Sequence, residues 1–248
     1  MRYRYFILTV VGLALAGLPL SGQMLTHLPS FDKIKVGPRV ALVLEKGDQA
    51  SVRLAYEGLD EDLVNVEVKQ GTLLIYLDRA RNLEPKRKIV TPYGKVRESI
   101  YSGTRVTAYV TYQDLNKLVM KGDEDARISG DVSGETFKLK AYGDSEISFA
   151  SLHTGRLKVK MFGDCALTMG AGTADRQKYV VFGDHHIDAR YLTGSKVKAT
   201  SLGDTHLRVN GDQVKVTALG EADISCPDSA RLRKFVIGES SVQRFRTH

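Results

Sequence analysis

A chain of 248 residues, 42% of them hydrophobic, carries enough apolar material for one sizeable β domain or two small ones. Its formal net charge of +7 falls to +5 once Arg2 and Arg4 of the leading segment are set aside, and the one block of like charge is Lys86, Arg87 and Lys88. A mildly basic chain without longer basic runs is not patterned as a nucleic-acid-binding protein.

In chain order, residues 1–22 come first. Arg2 and Arg4 precede an apolar run from Phe6 to Leu20, and the small residues Ser21 and Gly22 follow. This is the pattern of a secretory signal peptide. A membrane anchor fits less well, because the run is short and holds Gly12, Gly17 and Pro19. No cysteine lies near the cleavage point to carry a lipid, and no later apolar run is long enough to cross a bilayer. The mature chain is therefore expected to be exported, to the periplasm, the outer-membrane surface or the medium, with no membrane span.

Residues 31–120 read as β-rich. FDKIKVGPRVALVLEKGD holds two alternating stretches, VNVEVKQGTLLIYL two strands about Gly71, and RVTAYVTYQDLNKLVMKGD leads into the next region. Between them, residues 78–103 form a long polar segment with Pro85, Pro92 and Gly94, expected as an exposed loop or flap.

Residues 121–245 repeat one phrase: YGDSEI, FGDCAL, FGDHHI, LGDTHL, LGEADI and IGESSV. Aligned on the acid, the column is Asp125, Asp144, Asp164, Asp184, Asp204, Glu221 and Glu239, at spacings of 19, 20, 20, 20, 17 and 18. A fixed period near 20 predicts a β-solenoid whose coils stack about 4.8 Å apart. Position one after the acid (Ala126, Ser145, Cys165, His185, Thr205, Ala222, Ser240) and position three (Ile128, Ile147, Leu167, Ile187, Leu207, Ile224, Val242) share a strand face that points inward. The glycine before the acid marks a sharp corner, and the acid is expected to bond nearby main-chain N–H groups. Gly134, Gly155, Gly194 and Gly211 suggest a second corner. Cys165 and Cys226 lie three coils apart, about 14 Å at that spacing. They are expected to be free, buried thiols, since a disulfide cannot span this distance.

The order of these motifs resembles a bacterial family described as putative auto-transporter adhesin heads, the GIN domain. The resemblance runs over about residues 28–245: FDKIKVG, then VALVLEKGD, the VEVKQGTLLIYL pair, YVTYQDLNKLVMKGD, and the glycine-bearing coils. It implies a right-handed parallel β-helix, with the β-rich N-terminal part joined to the same stack in a single domain over residues 23–248, and an exported, adhesin-like role. The sequence departs from the family habit at the corner, where Ser and Gly are usual. Here stand Tyr142, Phe162, Phe182, Leu202, Leu219 and Ile237, followed by Gly and an acid.

Three outward columns could carry function. The first is a candidate binding stripe of Tyr142, Asp144, Phe162, Asp164, Phe182, Asp184 and Asp204, with the surface chemistry of a sugar or Ca²⁺ site. Its structural alternative is turn-holding acids beside apolar residues folded over the corner or buried in a homodimer contact. The second is His186, His206 and Asp223, which could hold Zn²⁺ but lack any tight ligand motif; His185 faces inward and is expected to be a hydrogen-bonded core residue. The third is Lys138, Lys158, Lys178, Lys198, Lys215 and Arg233, a solvated face by default and otherwise a site for acidic polysaccharide or lipid-borne phosphate. No catalytic residue and no resident cofactor is singled out. The leading reading is a non-enzymatic surface protein that binds a glycan or protein partner. The alternatives are a polysaccharide lyase or hydrolase on the same scaffold, and a structural envelope protein that dimerises through the aromatic column.

Overall fold

A strand with one apolar face cannot bury that face alone, and the repeat solves this by stacking copies. The computed structural model describes residues 25–246 apart from Tyr93; the expected signal peptide lies outside them. From Lys117 the chain winds as stacked parallel rungs. In the first wall, Lys117, Lys138, Lys158, Lys178, Lys198, Lys215 and Arg233 are successive register partners. In the second wall, after the corner, the register runs Ile147, Leu167, Ile187, Leu207, Ile224 and Val242. Both walls continue into the N-terminal part. Lys33–Val36 lies parallel between Lys117–Lys121 and Thr72–Leu77, and Val40–Lys46 lies parallel between Ala126–Tyr142 and Arg105–Tyr112. There the coil gives way to antiparallel partners, Ser51–Glu57 on Arg105–Tyr112 and Val64–Lys69 on Thr72–Leu77. The chain is thus an all-β parallel solenoid with its N-terminal part in the same sheet.

The expected loop over 78–103 carries structure of its own. Lys86–Thr91 and Gly94–Ser99 pair as an antiparallel ribbon outside the main sheet. Its base is held by Arg39, whose Nε donates to Glu84 at 2.8 Å, by the Ser99 hydroxyl on the same carboxylate, and by Tyr101 Oη donating to the Asp78 carbonyl at 2.8 Å.

Inside, successive rungs stack apolar columns such as Phe137, Leu157, Val197 and Val214, all buried; each such side chain contributes about 1.5–3 kcal/mol. Phe137 meets Phe149 across the core edge-to-face at 5.4 Å. Gln177 breaks the apolar pattern. It is buried, yet it accepts from Tyr179 Oη at 2.8 Å and donates to the Leu192 carbonyl at 3.0 Å, so its amide is not left unpaired.

Two details of the repeat differ from the sequence reading. Asp125 does not stand in the acid column. Lys121 pairs with Tyr142 and Ala126 with Ile147, so Gly122 and Asp123 form the first corner, Glu124 takes the inward place held by Ser145 in the next coil, and Asp125 aligns with Glu146. The register offset changes between Ile128 and Asp131, where the bulge at Ser129 and Gly130 absorbs one extra residue. The second corner is also not a glycine column: Gly134 pairs with Thr154, Thr154 with Ala174, and Gly155 lies one residue further on.

Candidate functional site: the corner and the outward columns

The corner is built by glycine for two reasons. Gly122, Gly143, Gly163, Gly183, Gly203, Gly220 and Gly238 have φ between +108° and +134°, a region costly for any residue with a Cβ. They also lie directly over one another: a Cβ on Gly183 would meet the Gly163 carbonyl oxygen at 2.3 Å. With the main chains this close, each carboxylate reaches the next coil. Asp144 N–H donates to Asp123 Oδ1 at 3.1 Å, Asp164 N–H to Asp144 at 3.0 Å, Asp184 N–H to Asp164 and Asp204 N–H to Asp184 at 3.2 Å, and Glu221 N–H to Asp204 at 3.0 Å. The five aspartates thus share one task, with an oxygen each committed to main chain, and none is set apart from its copies as a catalytic acid would be.

Beside them runs the apolar column. Tyr142 and Phe162 stack at 5.1 Å with rings 3° apart, and Phe162 and Phe182 at 5.0 Å and 1°. Lys121 Nζ caps the outer face of Tyr142 at 3.5 Å. Ring faces are therefore covered by neighbours, and the column shows edges to solvent. Below Phe182 the column turns aliphatic and more open, with Leu202, Leu219 and Ile237 exposed by 46%, 49% and 57%.

The histidine column forms in register, His186 on His206 on Asp223. The imidazoles are 5.9 Å apart by ring centroid, and His206 Nδ1 pairs with Asp223 Oδ2 at 3.0 Å. Among the described residues, no group of three His, Cys, Asp or Glu side chains is arranged to hold a metal ion.

The inward corner column places Cys165 beside His185. Both cysteines are free and buried. The Cys165 thiol donates to the Gly143 carbonyl at 3.0 Å. Burial pushes its pKa up and pushes that of His185 down, against the pull of the Phe182 and Cys165 carbonyls and of Asp164 and Asp184. Two groups shifted toward their neutral forms do not make a thiolate–imidazolium nucleophile. His185 is a core residue as expected, but it is not hydrogen-bonded: neither ring nitrogen has a partner of ordinary geometry, nor has the Ser145 hydroxyl.

The lysine column is the outermost feature of the first wall and faces solvent along its whole length. A groove of about 430 Å³ runs over it from Arg156 to Arg233. The sequence showed the column but not the groove, which depends on a second cationic column two residues upstream. No helix among the described residues is long and apolar enough to cross a membrane.

Comparison with solved structures supports the fold. The chain is similar to a putative adhesin from Bacteroides fragilis, with 19% identity, a TM-score of 0.67, and 89% of this chain and 96% of that one covered. A putative adhesin from Parabacteroides distasonis matches at 16% identity and TM-score 0.64, covering 90% and 96%. A putative lipid binding protein from the same organism matches at 18% and 0.61, covering 91% and 96%. Among curated proteins there is no match. The family profile of the putative auto-transporter adhesin, head GIN domain, matches residues 30–229, and the chain belongs to that family.

Proposed function

We propose that this is an exported, non-enzymatic, adhesin-like protein that meets a protein partner through the apolar column at its corner. The observation that carries this reading is the line of Phe182, Leu202, Leu219 and Ile237, all exposed and in register over successive coils. Apolar side chains aligned at a corner and left in solvent mark a contact surface. Protein fits this stripe better than sugar. Sugar rings stack on free aromatic faces, and here the faces of Tyr142 and Phe162 are already used. The signal-like residues 1–22 and the family's adhesin description support export and surface contact. The five corner aspartates, each bonded to the coil beyond, support a scaffold rather than a catalyst.

The test is retention of the mature protein on a panel of bacterial and epithelial cell surfaces. Leu202→Ser with Leu219→Ser is expected to abolish retention without changing the circular dichroism spectrum. Light scattering of the same pair assigns the stripe to a second copy if a two-chain mass falls to one chain. New reducing ends released from a polysaccharide panel, and lost on a single Asp→Asn change in the acid column, would overturn the non-enzymatic reading.

A further inference from the structure

We propose that the groove on the first wall binds a linear polyanionic glycan lying along the solenoid axis. This site is separate from the apolar column and does not rest on the reading above. One column of the groove carries Arg156, Arg176, Lys196, Gln213 and Arg231, in register. The neighbouring column carries Lys158, Lys178, Lys198, Lys215 and Arg233. Both columns line the 430 Å³ groove. They stand about 6.6 Å apart across the wall, and their members repeat every 4.8 Å or so along it, so five coils span about 19 Å.

Counter-charge is confined to the upstream rim of the wall. The strands Lys196–Leu202, Gln213–Leu219 and Arg231–Ile237 contain no Asp or Glu, and neither do residues 136–142, 156–162 and 176–182 of the strands above them. At the rim, Arg156 meets Glu135, and Arg176 meets Asp175 at 3.9 Å. Among the described residues the other groove cations have no carboxylate partner. Like charges stacked this closely repel one another, and a multivalent anion laid across them relieves that repulsion while its own charges are matched at regular intervals.

The shape selects the kind of anion. A concave groove along the axis admits a chain and does not fit a flat bilayer. The apolar corner beside the wall has the acid column immediately beyond it, which repels anionic headgroups. Single-stranded nucleic acid is held by bases stacked on aromatic faces. The groove floor is instead the strand main chain at Leu157, Gln177, Val197 and Val214, whose side chains point into the core, and the aromatic rings stand at the corner, stacked on each other. What remains is a backbone without bases that bears sulfate, phosphate or carboxylate groups at short intervals, together with lysine stems that cover its apolar faces.

The experiment measures binding of heparin oligosaccharides of graded length to the mature chain across a salt series. Affinity is expected to rise with length until the ligand spans the five coils, then level off. Lys178→Gln with Lys198→Gln keeps two polar side chains at the surface and is expected to weaken binding about tenfold or more and to make its salt dependence shallower by about two charges. Lys86→Gln with Lys95→Gln, on the ribbon, is expected to leave binding unchanged. The proposal is overturned by absent binding at low salt, by an equal loss in the ribbon variant, or by tighter binding of a single-stranded oligonucleotide of matched charge or of anionic phospholipid vesicles.

Discussion

Glu124 shows how one residue can be hidden by its neighbours in sequence. In KGDEDARI either Asp123 or Asp125 can be aligned with the later acids, and Ile128 favours the wrong one. The glycine decides it, because only Gly122 continues the column of positive φ. Glu124 thereby falls on the inward side of the corner. Burial raises its carboxyl pKa above 4.5 with a further push from Asp123, and the main-chain N–H and guanidinium of Arg39 oppose this. The native state then binds a proton at higher pH than the unfolded chain does, so the ionised residue opposes folding at neutral pH. That opposition fades as the pH falls through the native pKa and is gone below the ordinary value. Glu124→Gln, which keeps an acceptor for Arg39, is expected to raise the unfolding midpoint at pH 7 and to match the parent below pH 4.5, as read by thermal melts across the pH range. Gln177 was equally hidden. Alternation marks its position as inward, but only the structure supplies Tyr179 and the Leu192 carbonyl to satisfy it.

At the scale of the strand and its corner, the sequence was a good guide. Period, inward columns and corner glycines all follow from the repeat, since each residue is judged in several copies. The second corner was less readable, because Thr154 and Ala174 replace glycine at the level of Gly134 and the main chain there is not forced into the same geometry. The acid column's work at the corner also has a direct test. Asp164→Asn retains an oxygen for the Asp184 N–H and removes one of several stacked charges, so its melting temperature should stay close to the parent's. Asp164→Ala leaves that N–H without its acceptor and is expected to cost about 1–2 kcal/mol in urea unfolding. Equal losses in both variants would mean that the charge, rather than the hydrogen bond, holds the corner.

At the scale of the whole molecule, sequence and structure diverge most over charge. Read linearly, the basic residues are scattered and the chain is only mildly positive. Folding at a 20-residue period gathers them on one wall and places the corner acids on the neighbouring edge. No block of like charge is needed to make a polybasic surface when each coil contributes one to three cations at the same positions. The ligand-facing chemistry was thus present in the text of each repeat, while the groove between two columns exists only in the stack.

The register also sets which changes of length the molecule can absorb. Joining Phe162 directly to Gly183 would remove one complete turn, including Gln177 and Tyr179 together, and still set Gly183 over Gly143, Leu202 under Phe162 and Lys198 under Lys158. Such a shortened rod is expected to fold, with an unchanged far-ultraviolet spectrum and a smaller urea m-value. Deleting Asp164 alone would turn every later side chain in its strand to the opposite face and is expected to leave no cooperative transition. Length can therefore change by whole turns far more readily than by single residues, and a lineage built this way could alter its reach in steps of about 4.8 Å without redesigning its interior.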